Sequence, residues 1–194
     1  MARRRGLDRD DVLDAALAIV DRDGLDALSL KAVADALAVQ SPSLYSHVDG
    51  LGGLLDALAI AVTAEFGETL RDSVVGVAGD DAVIAFARAY RRWATERPGR
   101  YELSLRKVEG DEKRTAGLGA IETMDRVLAV YGLSGADATA AGRSLRAALH
   151  GFSTLEAADS LGRGRHDASF DYLVALFVEG IRAGTELAEV EAAS

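Results

Sequence analysis

The sequence predicts an all-α fold of about nine helices: an N-terminal three-helix module containing a helix-turn-helix, followed by a larger helical domain. Three observations carry this expectation. Apolar residues recur three and four apart through almost the whole chain. Turn signals such as Asp23-Gly24, Pro98-Gly99 and Tyr131-Gly132 fall farther apart than a run of strands would place them. Near the N-terminus, two short capped segments separated by about three residues follow a longer helix, which is the spacing of a helix-turn-helix.

The elements follow in order. Asp8 and Asp11 read as an N-cap and its reciprocal acid, and Val12, Leu13, Ala16, Leu17, Ile19 and Val20 form one stripe, so the first helix covers 8–22. Ser29 caps a short second helix from Leu30 to Leu37. Ser41 reads as the next cap, with Pro42 at the first helical position, where its missing N–H removes nothing from the helix. This third helix is SPSLYSHV, 41–48, with Leu44 and Val48 turned inward. A long helix over 51–72 buries Leu54, Leu58, Val62 and Leu70. Further helices are expected at 80–96, 99–106, 117–131, 134–160 and 168–184, with VEGDEKRTA as a loop and an acidic, alanine-rich tail that frays. The expected division is 1–50 for the helix-turn-helix domain, 51–72 for a connecting helix and 80–194 for a C-terminal domain.

Composition bounds the function. With 49% hydrophobic and 27% charged residues the chain is globular, and without cysteine it has neither disulfides nor thiolate metal sites. The basic start MARRRG runs into DRDDVLDAA, where a signal peptide needs an apolar core, and no run approaches the roughly 20 apolar residues of a membrane span. A cytoplasmic protein with no membrane association is expected. Only three histidines are present, and there is no Gly-x-Ser-x-Gly, no His-Glu-x-x-His and no phosphate-binding glycine loop. No enzyme is expected, and no catalytic group, metal or cofactor. The net charge of -9 argues against indiscriminate nucleic-acid binding, which depends on neutralising phosphates, but it leaves room for a local DNA-facing surface.

Across Asp10 to Leu58 the sequence resembles the tetracycline-repressor (TetR) family of transcriptional regulators. The residues that carry the resemblance are DRDGLDALSLKAVADALAVQSPSLYSHVDGLGGLLDAL: a glycine ending the first helix, a capping Ser29, the Val33-Ala34 pair, the run Leu44-Tyr45-Ser46-His47, and Leu54-Leu55 opening the fourth helix. Farther on, Leu149-His150-Gly151 keeps two residues of the Trp-His-Gly triplet that marks one branch of the family. The resemblance implies that Tyr45 and His47 contact DNA phosphates and that Lys31 reaches DNA. It also shows a departure, because the lysine that relatives carry near the start of helix 4 is Leu51 here.

Outward polar positions extend the candidate DNA surface to Ser29, Gln40, Ser41, Pro42, Ser43 and Ser46, and the basic run Arg3, Arg4, Arg5 reads as an arm able to follow phosphates or enter a minor groove. Residues 1–50 hold six cations against nine Asp, so the module is itself net negative. A palindromic operator of double-stranded DNA requires a homodimer. For its interface the sequence offers Leu145, Leu149, Phe152 and Leu155 on one late helix, with Phe170, Leu173, Val174, Phe177 and Ile181 on the other. A small-molecule effector is expected in a pocket of Phe86, Tyr90, Trp93, Tyr101, Met124, Leu128 and His150, residues that read equally as ordinary core. Two function classes remain open at this point: a ligand-released repressor, and a helical sensor or interaction protein with weak or lost DNA binding.

Overall fold

The computed structural model describes the backbone of residues 7–192 and the side chains of residues 7–184, so Arg3, Arg4 and Arg5 lie outside the described residues. Among those described there are eight α-helices and no strand: α1 (Arg9–Asp23), α2 (Leu30–Ala36), α3 (Gly50–Ser73), α4 (Gly79–Glu96), α5 (Pro98–Leu105), α6 (Glu112–Ala129), α7 (Gly135–Ala157) and α8 (Asp167–Ala192). Two short 3-10 segments, Leu25–Ala27 and Ser41–Ser46, complete the list. The chain forms two compact units. The first takes residues up to Ala64 together with Arg97–Ala116, and the second takes Glu65–Glu96 with everything from Gly117 onward.

The first unit is built on α1. Its start is a full capping box: the Asp11 amide donates to Asp8 at 2.9 Å, and the Asp8 amide donates to Asp11 at 3.0 Å. Val12, Ala16, Ile19 and Val20 of α1 are buried with Leu28, with Val33 and Ala34 of α2, and with Leu44 and Val48. Ser29 caps α2 by accepting from the Ala32 amide at 3.1 Å. The far end of α2 closes with two crossed bonds, Val39 N–H to Ala34 C=O at 3.0 Å and Ala38 N–H to Asp35 C=O at 3.2 Å. This Schellman arrangement puts Ala38 in the left-handed region at φ 53, where a glycine is usual. An alanine in that conformation carries a backbone cost of roughly 1 kcal/mol.

The domain boundary differs from the expected one, because α5 belongs with the N-terminal helices. Pro98 opens it, and Gly99 then lies so close to α1 that an added Cβ would stand 2.7 Å from Val20 Cγ1 and 3.0 Å from the Val20 carbonyl oxygen. Arg100 grips Asp21 through Nε and Nη2 at 2.8 and 2.7 Å, and Arg106 Nε donates to Asp56 of α3 at 2.7 Å. These partners are separated by up to 79 residues, so local patterning could not reveal them.

In the second unit α4 is the central element: it packs on α7 and α8, and its Val83, Phe86, Tyr90 and Trp93 are buried. Phe66, on the later part of α3, stacks on Trp93 at 4.5 Å and meets Tyr90 edge-on at 5.0 Å. Gly142 of α7 lets Met124 and Leu128 of α6 approach, at 3.2 and 3.7 Å from where a Cβ would stand. A second Schellman turn, with Asp159 at φ 51, ends α7 at Ala157 rather than near Ser160. Two other boundaries depart from expectation. α6 begins at Glu112, inside the charged stretch read as a loop, and α8 continues to Ala192 through the tail expected to fray.

α3 also corrects a composition argument, since it is long and apolar enough to cross a membrane by that measure alone. Part of its apolar side is used inside the protein, where Leu54, Leu58, Ala59 and Val62 are buried, and Asp56 is ion-paired.

Candidate nucleic-acid interface

The turn between α2 and the Ser41–Ser46 segment sets the geometry of the candidate surface. That segment is a 3-10 helix, tighter than the α-helix expected over 41–48. Its cap is Gln40, whose carbonyl accepts from the Ser43 amide at 2.9 Å; Ser41 and Pro42 are its first two helical residues, so the cap assigned to Ser41 falls one residue earlier. Leu44 is fully buried and its carbonyl accepts from both the His47 and Val48 amides, at 2.9 and 3.0 Å. One buried leucine therefore anchors the whole segment.

What remains outward is polar. Tyr45 is 62% exposed, and Gln40, Pro42, Ser43 and Ser46 are exposed as well. Ser46 Oγ donates back to the Ser43 carbonyl at 2.9 Å, while Ser41 and His47 are half-buried. On α2, Ser29 is half-buried and committed to capping, and Lys31 points to solvent, paired with Asp35 one turn on at 2.5 Å. An exposed pair of this kind is worth only about 0.3–0.5 kcal/mol, so phosphate can take Lys31 from Asp35 at little cost.

Two of the three glycines of DGLGG have a structural role. Gly50 sits at φ 67 at the start of α3, and a Cβ on Gly53 would stand 2.9 Å from Asp49 Cβ. Leu51 is partly exposed beside them and lines a groove of about 520 Å³ with Leu25, Leu28, Leu55, Glu102 and Arg106.

A family profile described as "Tetracyclin repressor-like, C-terminal domain" matches residues 83–177. The chain is 37% identical over 188 residues to the uncharacterized HTH-type transcriptional regulator Rv0681 of Mycobacterium tuberculosis, covering 95% of this chain and 86% of that protein. The chain belongs to the TetR family. Its fold is similar to that of BioQ bound to its double-stranded DNA operator, with TM-score 0.67 and 25% identity over 92% of this chain and 99% of that one. It is similar also to the TetR-family protein ActR of Streptomyces coelicolor in complex with (S)-DNPA, with TM-score 0.69 and 21% identity over 93% of this chain and 100% of that one.

The remaining candidates of this TetR-family chain lie on the later helices and are distributed less simply. Phe86, Tyr90, Trp93, Met124 and Leu128 are buried in the second unit. Tyr101 is buried in the first unit, on α5, which the sequence had assigned to the C-terminal domain. His150 is half-buried, with Nδ1 at 3.5 Å from Thr154 Oγ1. None of the seven lines the Leu51 groove or a second cleft, beside Arg91.

The expected dimer face needs correction. Leu145, Leu149, Phe170, Val174 and Ile181 are already buried within the single chain and have no surface left to offer a partner. Phe152, Leu173 and Phe177 are half-buried, and Leu155 is exposed. Sequence reading missed Tyr172 and Leu176, which are 67% and 57% exposed one turn apart on α8. The signal for them was present as a second apolar stripe, offset from that of Phe170 and Val174 by two residues.

The polar chemistry of the second unit centres on Arg91. It donates to both Glu156 oxygens, at 2.7 Å from Nε and 2.5 Å from Nη2, and from Nη1 to Asp167 at 3.0 Å. Its guanidinium lies 4.8 Å from the centroid of Phe170 and 5.5 Å from that of Phe152. The Arg91 hydrogen bond, ahead of its charge, holds the Glu156 carboxyl below the ordinary carboxylate range. Asp167 is held down by Arg165 first and Arg91 second.

Proposed function

We propose that this TetR-family regulator is a repressor: a homodimer that binds a palindromic double-stranded DNA operator through the Ser41–Ser46 segment and releases it when a small molecule occupies the C-terminal helices. The observation that carries this reading is the division of one six-residue segment into a buried anchor, Leu44, and an outward face of Tyr45 and serines. Such a face has little structural role left to it, and its residue types suit phosphate contacts and base edges. Tyr45 and His47 are the phosphate contacts, joined by Lys31, with Gln40, Ser41 and Ser43 at the groove-facing edge. The operator named for BioQ and the ligand named for ActR support the two halves of the reading. The cytoplasm, where the DNA is, is the matching compartment, and no catalytic step is required.

Dimerisation is assigned to the face that carries Leu155, Tyr172 and Leu176, since apolar side chains left exposed by the protomer are the ones a partner can cover.

The test is fluorescence anisotropy with the DNA upstream of the protein's own gene. The wild type binds at low salt, and Tyr45→Ala weakens binding by about an order of magnitude with an unchanged melting temperature. Absence of binding by a folded wild-type dimer would leave the sensor without DNA affinity as the better reading.

A further inference from the structure

We infer that the cleft beside Arg91 is a binding site for a small organic monocarboxylate. The cleft has a volume of about 420 Å³, within the range of small-molecule sites, and it lies wholly in the second unit. One wall is a single face of α4: Arg88, Arg91, Arg92 and Thr95 at helical spacings of three and four. The opposite wall brings Glu156 from α7 and Asp167, Phe170 and Asp171 from α8.

The charges across the cleft are equal in number but unevenly paired. Arg91 is consumed by Glu156 and Asp167, and Arg88 pairs with Asp171 at 3.0 Å. Asp167 takes a second partner in Arg165, also at 3.0 Å, and His166 adds a favourable field at Glu156. Among the described residues the Arg92 guanidinium has no carboxylate partner. The lining thus holds three arginines and three acids, and because Arg91 takes two of the acids, Arg92 is the guanidinium left over in the cleft wall.

One unpaired guanidinium among three carboxylates matches a monoanion better than a phosphate dianion, which those carboxylates repel more strongly. Arg91 holds Glu156 by two parallel bonds, the arrangement that Arg92 can offer a ligand carboxylate. Arg88, whose pair with Asp171 is exposed and therefore weak, is free to swing to the same ligand. The aliphatic stems of Arg88 and Arg92 supply apolar surface for the ligand's body. As an effector site this cleft rests on the regulator reading above; as a binding site it does not.

Calorimetry of the full chain without DNA tests it, with 1-naphthoate as probe and the neutral 1-naphthamide as its shape control. Naphthoate binds with a Kd below about 1 mM, naphthamide does not, and Arg92→Gln weakens naphthoate at least tenfold. Arg92 is exposed, so the variant keeps its fold, checked by an unchanged melting temperature. Equal binding of naphthoate and naphthamide, equal binding by wild type and Arg92→Gln, or no naphthoate binding at all overturns the site. Operator anisotropy of ligand-free protein is read separately: loss of DNA binding there counts against the regulator reading and leaves the calorimetric result standing.

Discussion

Leu51 stands 38% exposed in the first turn of α3, at the position where the resemblance to relatives implies a lysine that pairs with phosphate. Gly50 and Gly53 have backbone reasons to be there, and the missing lysine is the chemical difference that bears on phosphate. Leu51→Lys restores a phosphate contact if the start of α3 faces the operator, and its methylene stem can stay against the groove that Leu51 and Leu55 line. Operator affinity then rises at low salt, and the slope of log K against log salt steepens by about one. Titrations across a series of KCl concentrations read this directly, and an unchanged slope would mean that α3 does not approach phosphate. Tyr45 and Leu44 were legible in the sequence because inward and outward positions alternate within a few residues. The capping role of Gln40 was not, since it depends on the backbone tightening into a 3-10 turn.

Between elements, the tie from α4 to α7 and α8 is electrostatic at one end of the second unit. Glu156 is mostly shielded from solvent and its native carboxyl is held below the ordinary value of 4.5, chiefly by hydrogen bonds from Arg91. A depressed native value means that the pair stabilises the fold above the unfolded value and that this contribution is lost as pH falls below about 4.5 through the native value. Glu156→Gln therefore lowers stability near neutral pH by about 1 kcal/mol and flattens the acid limb of the stability profile. Thermal melts from about pH 3 to pH 7 compare the two slopes; parallel curves would show that Glu156 does not carry the acid sensitivity. Helix ends followed a similar division. The start of α1 was readable from Asp8 and Asp11, whereas the end of α7 is set by Asp159 in a left-handed conformation that no nearby glycine announces.

At the scale of the whole molecule, two recognition segments must be held at a fixed spacing, and the outward face of α7 and α8 is the surface proposed to do it. Leu176 is 57% exposed in the protomer, so Leu176→Asp changes no internal contact of consequence. Placed at a dimer interface, the unpaired carboxylate weakens association on the order of a hundredfold. Sedimentation velocity should show a shift to monomer with unchanged helical circular dichroism, and operator binding should fall with it. A variant that stays dimeric places the interface elsewhere.

The sequence by itself determined the all-α class, the helix-turn-helix and the family, because each is written in local periodicity, capping chemistry or a contiguous block of about 50 residues, and it singled out the segment proposed for recognition. Only the tertiary structure decided that α5 belongs to the first unit and which of two apolar stripes on α8 is core. It alone brought three arginines of α4 opposite the acids of α7 and α8. Those facts depend on pairs such as Arg100 with Asp21 and Arg91 with Glu156, 79 and 65 residues apart, whose meeting is settled by packing and leaves no periodic mark in the chain.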